Sequence, residues 1–295
     1  MIRRPPRSTQ GVSSAASDVY KRQKPGSPLG PALNKIGVPY VDWYMVDRVI
    51  NMATSPPVGI FYNRMSASAH SRGHRYCPEL TTGLLAWLES NNRRVINGSS
   101  AIRLELSKMV QYSTLREVGI KFPRTVAATN AKGILEAAQF LKYPIISKPN
   151  RAGKGLGVKL SYNENELKNY VLGDDFESSI DGITLVQEYI EAPDTSITRV
   201  EFVDQKFLYA LRVDTSNGFE LCPADSCEIA VSEQPINKMP YFKNNIGPKF
   251  NIIAGFSTLP LGQRLIPCMT KLMKRVGMEV ASFEFIVDKN SDPFV

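Results

Sequence analysis

The chain has 295 residues, 43 % of them hydrophobic, with 36 Lys and Arg against 28 Asp and Glu and a formal net charge of +8. That is enough apolar side chain for one large or two medium domains, each with its own core, and no apolar run approaches the roughly 20 residues that a membrane-spanning helix needs. Cys77, Cys222, Cys227 and Cys268 stand without CxxC spacing, which suits a soluble protein of the reducing cytoplasm better than a disulfide framework or a zinc ribbon.

The first 23 residues read as translated sequencing adapter. MIRRPPRST (1–9) is what flow-cell adapter bases encode, SSAASDVYKRQ (13–23) is what a transposase adapter encodes, and Gln10 to Val12 fill the place of an index. Such a segment is set aside before any fold reasoning, and residues 1–23 are expected to be disordered. The segment holds Arg3, Arg4, Arg7, Lys21 and Arg22 against Asp18, so the remaining chain has a net charge of +4. The basic balance is therefore no evidence for a nucleic-acid partner.

Pro25 to Pro39 is rich in Pro and Gly and reads as irregular chain. VGIFYNRM (58–65) and RRVIN (93–97) read as strands, and PELTTGLLAWLES (78–90) between them spaces Leu80, Leu84, Leu85 and Leu88 as one helix face. This order predicts a small α/β domain over 24–99. His70 and His74 form an i, i+4 pair in SASAHSRGHR, a stretch that reads as surface before it reads as a metal site. Ser100 is a plausible N-cap for a helix over 101–118 that stops at Gly119. Residues 132–141 are helical in pattern, and YPIISKP (143–149) is a short apolar strand bounded by prolines. Asn163 with Glu166 resembles a capping box opening a helix to Val171. TLVQEYI (184–190), TRVEFV (198–203) and KFLYALRV (206–213) read as strands, the last two joined as a hairpin through Asp204 and Gln205. An amphipathic helix over 260–276 and the strand ASFEFIV (281–287) complete the pattern.

The segment IISKPNRAGKGLGVKL (145–160) carries the most chemistry. A strand ends at Lys148, and a loop with Gly153, Gly155 and Gly157 leads into another strand-like run. Glycines let backbone N–H groups approach phosphate oxygens, while Lys148 and Lys154 supply positive charge. A P-loop or a dinucleotide-binding fingerprint needs a helix directly after the glycines, and here Val158 to Ser161 reads as strand. TLVQEYIEA is an apolar strand with a polar, aromatic end whose backbone groups can pair with the edge of adenine. Glu284 interrupts an otherwise apolar strand. Buried without a partner it would cost several kcal/mol, roughly the price of an unpaired internal charge, and a metal ion is one physical reason for its presence.

From about Ile96 to Val295 the chain resembles the ATP-grasp superfamily, most closely the RimK-like glutamate ligases. The resemblance rests on INGSSAIRLELSKMVQYSTLREVGIKFPRT, YPIISKPNRAGKGLGV, LVQEYI and VASFEFIV, in the family's order and spacing. It implies a two-lobed α+β ATP-grasp domain over 100–295, preceded by a small α/β pre-ATP-grasp domain and incomplete at its C-terminus. It also implies that Lys108 and Lys148 reach the nucleotide phosphates and that residues 153–157, including Lys154, form a flap over the triphosphate. Glu188 and Tyr189 would lie at the adenine hinge, Arg199 and Arg212 would point at the transferred phosphoryl group, and Glu284 would bind Mg2+, with Mn2+ as an alternative. Arginine suits that task because its planar fork stays charged and can grip phosphate at two places.

Two departures from the family pattern stand out. The family has Asp-Ile-Arg where this chain has Ile197-Thr198-Arg199, so Glu191 or Asp194 would have to supply the ribose contact. A further acidic residue and an Asn that the family places shortly after the strand fall at about the point where this chain stops, so the sequence is expected to be a fragment of a longer gene. Cys222 and Cys227, in LCPADSCEI, fall where related ligases have a loop near the phosphates. The implied activity is ATP-dependent ligation of a small-molecule or peptide carboxylate to an amine through an acyl-phosphate, with glutamate or a similar amino acid as the amine. A nucleotide-binding module without ligase chemistry and an ATP-grasp enzyme with another acceptor are the alternatives, and neither nucleic acid nor membrane is an expected partner.

Overall fold

In the computed structural model, residues 11–15, 29–46, 48–153, 155–216 and 250–295 are described. The chain divides into two units, Met1–Arg103 and Leu104–Val295. The first unit contains β1 (Gly11–Ala15), α1 (Leu29–Lys35), β2 (Tyr40–Asp42), β3 (Gly59–Asn63), α2 (Cys77–Ser90), β4 (Arg94–Ile96) and most of α3 (Ser99–Glu105). Its four strands pair in parallel in the order β2-β1-β3-β4. Helix α2 buries Leu84, Leu85 and Leu88, three of the four leucines on the expected face.

Two local readings differ from expectation here. Gly11–Ala15 forms a strand inside the segment expected to be disordered. A ladder is built from main-chain N–H and C=O groups that almost any residue supplies, so side-chain patterning does not reveal such a strand. Helix α1 lies within the stretch expected to be irregular, because Pro31 falls in its first turn, where the missing N–H is not needed.

The second unit opens with a broken helix. One helix over 101–118 is the sequence expectation, whereas the structure has α3 and α4 (Lys108–Glu117) separated at Ser107. Ser107 is extended, and its Oγ accepts from Val110 N at 3.4 Å. The cap restarts the helix and makes Lys108 its first residue.

Strands β5 (Thr125–Ala128), β6 (Ile145–Pro149), β7 (Lys159–Ser161) and β8 (Thr184–Glu188) form an antiparallel sheet in the order β5-β8-β6-β7. Helices α5 (Ala131–Ala138) and α6 (Glu164–Leu172) share its core, with Ile134, Ala137, Ile145, Leu167, Val171 and Val186 buried together. The Asn163–Glu166 cap is present: Asn163 Oδ1 accepts from Glu166 N at 3.0 Å, and Glu166 Oε2 accepts from Tyr162 N at 2.8 Å.

A second sheet contains β9 (Ser196–Val203), β10 (Lys206–Asp214), β11 (Phe250–Ile252), β12 (Val280–Val287) and β13 (Pro293–Phe294), in the order β11-β10-β9-β12-β13. Asp204 and Gln205, with φ of 54° and 59°, turn β9 into β10, the double positive φ of a two-residue hairpin loop. Helix α7 (Pro260–Val276) packs Leu265, Met269, Leu272 and Met273 against Val200, Phe202, Phe283 and Phe285. Each of those buried phenylalanines contributes about 1.5–3 kcal/mol by leaving water. Because strand side chains alternate, burying Val200 and Phe202 sends Arg199 and Glu201 to the opposite face.

Candidate active site

Lys148 leaves the end of β6 between two polar partners. Its Nζ donates to Tyr112 Oη at 2.7 Å and to Gln187 Oε1 at 2.8 Å. Gln187, only 3 % exposed on β8, turns its Nε2 to Tyr112 Oη at 2.9 Å and to Thr125 Oγ1 at 2.7 Å, so its amide orientation is fixed on both sides. Burial lowers the Lys148 ammonium to a pKa of about 8. Burial also raises the Tyr112 phenol to about 12, with the Gln187 hydrogen bond acting the other way.

Lys108 starts the α4 turn that, four residues on, carries Tyr112. Its Nζ donates to Ala152 O at 2.7 Å and Asn150 O at 3.4 Å, so it grips the base of the glycine loop. Its pKa falls to about 8, first through burial and then through the Lys148 charge, while Glu105 and Asp181 act in the opposite direction. The two lysines predicted to share one anion are thus brought together. Within the loop, Gly155 and Gly157 have φ of 78° and 70°, and Leu156 N and Val158 N bond Gly153 O and Gly155 O at 3.2 and 3.3 Å. Lys154 lies outside the described residues.

At the end of β8, Glu188 N donates to Arg124 O at 3.0 Å and Tyr189 N to Pro144 O at 3.2 Å. The main-chain N–H groups of Glu188 and Tyr189 are therefore both engaged within the protein.

On the second sheet Arg199 stands opposite Glu284 in the β9–β12 register. Arg199 Nε donates to Glu201 Oε1 at 2.6 Å, and its Nη1 lies 3.8 Å from Glu284 Oε1. Ser282 Oγ also donates to Glu201 Oε1, at 3.2 Å. Glu284 is exposed, with 42 % of its side chain open to solvent, and the direction of its pKa is upward, through partial desolvation first and Glu201 in addition, against the lowering effect of Arg199. Arg212 does not join this group. It pairs in register with Thr198, whereas Arg199 pairs with Leu211, so alternation places Arg212 on the other face of the hairpin. There it forms an ion pair with Asp194 at 2.8 Å. Asp194 Oδ1 is also engaged, by Ser196 N at 3.2 Å and Ser196 Oγ at 2.8 Å.

Tyr112, Gln187, Asn150 and Glu201 escaped the sequence reading. A buried Gln within an apolar strand and a Tyr four residues after Lys108 were the available signs. Cys222 and Cys227 lie outside the described residues. His70 Nδ1 lies 3.0 Å from Ala67 O, and among the described residues no group of three or more His, Cys, Asp and Glu could hold a metal ion. No described helix is long and apolar enough to cross a membrane.

The family described as carbamoyl-phosphate synthase L chain, ATP binding domain, matches residues 108–199. Alpha-aminoadipate–LysW ligase LysX of Sulfurisphaera tokodaii is 28 % identical over 130 residues, 44 % of this chain and 46 % of that protein. D-alanine–D-alanine ligase A of Bacillus cereus is 22 % identical over 214 residues, covering 58 % of this chain and 70 % of that protein. The chain spans about half the length of the LysX relatives it matches. The crystal structure of a RimK domain ATP-grasp protein from Sphaerobacter thermophilus superposes with a TM-score of 0.60 at 16 % identity, over 97 % of this chain and 89 % of that one. At that identity the likeness is one of fold.

Proposed function

We propose that this member of the ATP-grasp superfamily is an ATP-dependent carboxylate–amine ligase that works through an acyl-phosphate. The observation that carries the reading is the pair of half-buried ammonium groups, Lys108 held on the base of a glycine loop and Lys148 on Tyr112 and Gln187, within a segment that matches an ATP-binding domain. Two cations kept partly out of water, one lowering the pKa of the other, call for an anion between them, and a triphosphate supplies it.

In this reading a substrate carboxylate attacks the γ-phosphorus of ATP, giving an acyl-phosphate and ADP, and an amine then displaces phosphate to form the amide. Carboxylates are poor electrophiles, and phosphorylation provides the leaving group. The protein's part is alignment and charge neutralisation. Lys148 and Lys108 hold phosphate oxygens, and the loop with Gly153, Gly155 and Gly157 covers them. The carbonyl edge at Glu188 and Tyr189 receives the adenine amino group. Arg199, held through its Nε by Glu201, keeps its terminal nitrogens for the transferred phosphoryl group. Arg212 acts at one remove, by fixing the Asp194 loop.

Glu284 fits a divalent cation: it is a hard oxygen donor open to solvent on the same sheet face as Glu201, with Arg199 Nη1 only as near as 3.8 Å. Bound there, Mg2+ would supply Lewis-acid neutralisation of phosphate charge. Glutamate or a similar amino acid is the amine we favour, on the resemblance to RimK-like ligases, and the unbridged thiols of Cys77 and Cys268 suit a cytoplasmic setting. A nucleotide-binding module without ligase chemistry is the second reading. It is favoured by Ile197 at the family's Asp position and by the engagement of Asp194 with Arg212 and Ser196.

The test is phosphate release from ATP and Mg2+ with pooled amino acids, with mass spectrometry of the products. Release that requires an amine and yields a new amide, and that Lys148→Ala reduces by about a hundredfold or more, is expected. Turnover without an amine would point to another acceptor, and nucleotide binding without turnover to the module.

A further inference from the structure

Between the two lysines lies a buried amide whose hydrogen bonds join three parts of the chain. Asn150 follows β6 directly, two residues after Lys148, and is 2 % exposed. Its main-chain N donates to Ile183 O at 2.9 Å, and its main-chain O accepts from Lys108 N at 3.3 Å. Its side-chain Oδ1 accepts from Met109 N at 2.9 Å. Its Nδ2 donates to Asp181 Oδ2 at 2.6 Å, and Ser107 Oγ lies against both ends of the amide, at 3.3 and 3.2 Å. Asp181 is itself held through Oδ1 by Ser179 Oγ at 2.6 Å and Ile183 N at 3.1 Å.

Asn150 thus takes up the first two orphan amides of α4, those of Lys108 and Met109, from outside the helix. Its main-chain carbonyl takes that of Lys108 and its side-chain Oδ1 takes that of Met109, so the side-chain amide must accept on one side and donate to Asp181 on the other. A carboxylate in its place would face Asp181, and an aliphatic side chain would remove the partner of the Met109 N–H and of an Asp181 carboxylate oxygen. The helix turn that carries Lys108 is therefore docked on the residue that ends the strand carrying Lys148.

We propose that Asn150 is the positioning residue that sets Lys108 against Lys148, so that the spacing of the two phosphate-binding ammonium groups depends on its side-chain amide. This inference rests on the reading of the two lysines as nucleotide ligands. Asn150 touches no substrate in it. It acts through Lys108, and the polarity of the Asn150–Asp181 hydrogen bond is the feature that matters.

Calorimetric binding of Mg·ADP to the 295-residue chain tests both layers. Lys148→Ala is expected to weaken binding at least about tenfold, and Asn150→Asp by about tenfold, since one misplaced charged contact is worth that much. The exchange variant Asn150→Asp with Asp181→Asn restores a donor facing an acceptor and is expected to bind within about twofold of the parent chain. Combined with Lys108→Ala, Asn150→Asp should add little further loss, because it acts through that lysine.

Unchanged affinity in Lys148→Ala would overturn the nucleotide reading itself. Weakened Lys148→Ala beside a folded Asn150→Asp that binds like the parent would overturn only the positioning role. So would fully additive losses with Lys108→Ala, or an exchange variant that stays weak. If Asn150→Asp alone does not fold, the exchange variant carries the test, and its failure to fold or bind overturns the role.

Discussion

Lys148 and Lys108 hold their charges where water is scarce, and the Lys148 charge adds to the effect of burial on Lys108, with pKa values near 8 instead of 10.5. Between these values the unfolded chain binds more protons than the folded one, so stability without ligand should rise with pH across that window. Triphosphate affinity should move the other way, because the ammonium forms are lost as pH passes 8, by up to about tenfold per pH unit for each lysine. Thermal unfolding and Mg·ADP titrations between pH 7 and 10, with Lys148→Met as reference, check both trends. A flat affinity profile would mean that neither ammonium meets the nucleotide. Lys148 and Glu284 stood out in the sequence because a charge next to glycines, or inside an apolar strand, is out of place, and Lys108 stood out through the family resemblance alone. Tyr112, Gln187 and Asn150 did not, because they meet those charges across 36 to 42 residues of separation. Arg212 was misplaced for a related reason: which face of a hairpin a side chain takes depends on register, and the irregularity between Phe207 and Tyr209 shifts it.

Among elements, the glycine loop and the broken helix matter most to the site. Gly157 combines a φ of 70° with a tight approach, since a Cβ there would stand 3.1 Å from Pro149 Cδ. Gly157→Ala should therefore destabilise the chain by about 1–2 kcal/mol and weaken nucleotide binding, measured by chemical denaturation and titration. Retained stability would show that the loop tolerates a different path. The strands around the site were legible from apolar runs bounded by Pro and Gly, and α6 from its Asn163 cap. The break at Ser107 was not: Leu104, Leu115 and Val118 keep helical spacing across it and share one core, while the interruption is fixed by a partner on another strand. Strand β5 escaped as well, being four residues of modest apolar character that need Leu185 and Val186 alongside to be recognised as sheet.

At the scale of the molecule, the two sheets of the second unit each have their own buried core, and both cores lie wholly within 104–295. A chain beginning at Ser99 should therefore unfold cooperatively and bind Mg·ADP within about threefold of the full chain, as judged by thermal melts and calorimetry. Loss of cooperative unfolding would show that the first unit is needed for the fold of the second. The order of motifs along the chain made this two-sheet plan readable, whereas the element that joins the sheets was not. Tyr112 belongs by its ring to the core of the β9–β12 sheet, stacked on Phe122 at 4.9 Å, while its oxygen is committed to Lys148 and Gln187 on the other sheet. Hydrogen bonds fail within a few tenths of an ångström, and packed rings tolerate more. A small slide of one sheet past the other would thus be felt at the amine before either interior yields, which makes this phenol a strain gauge wired to the group we propose grips the nucleotide.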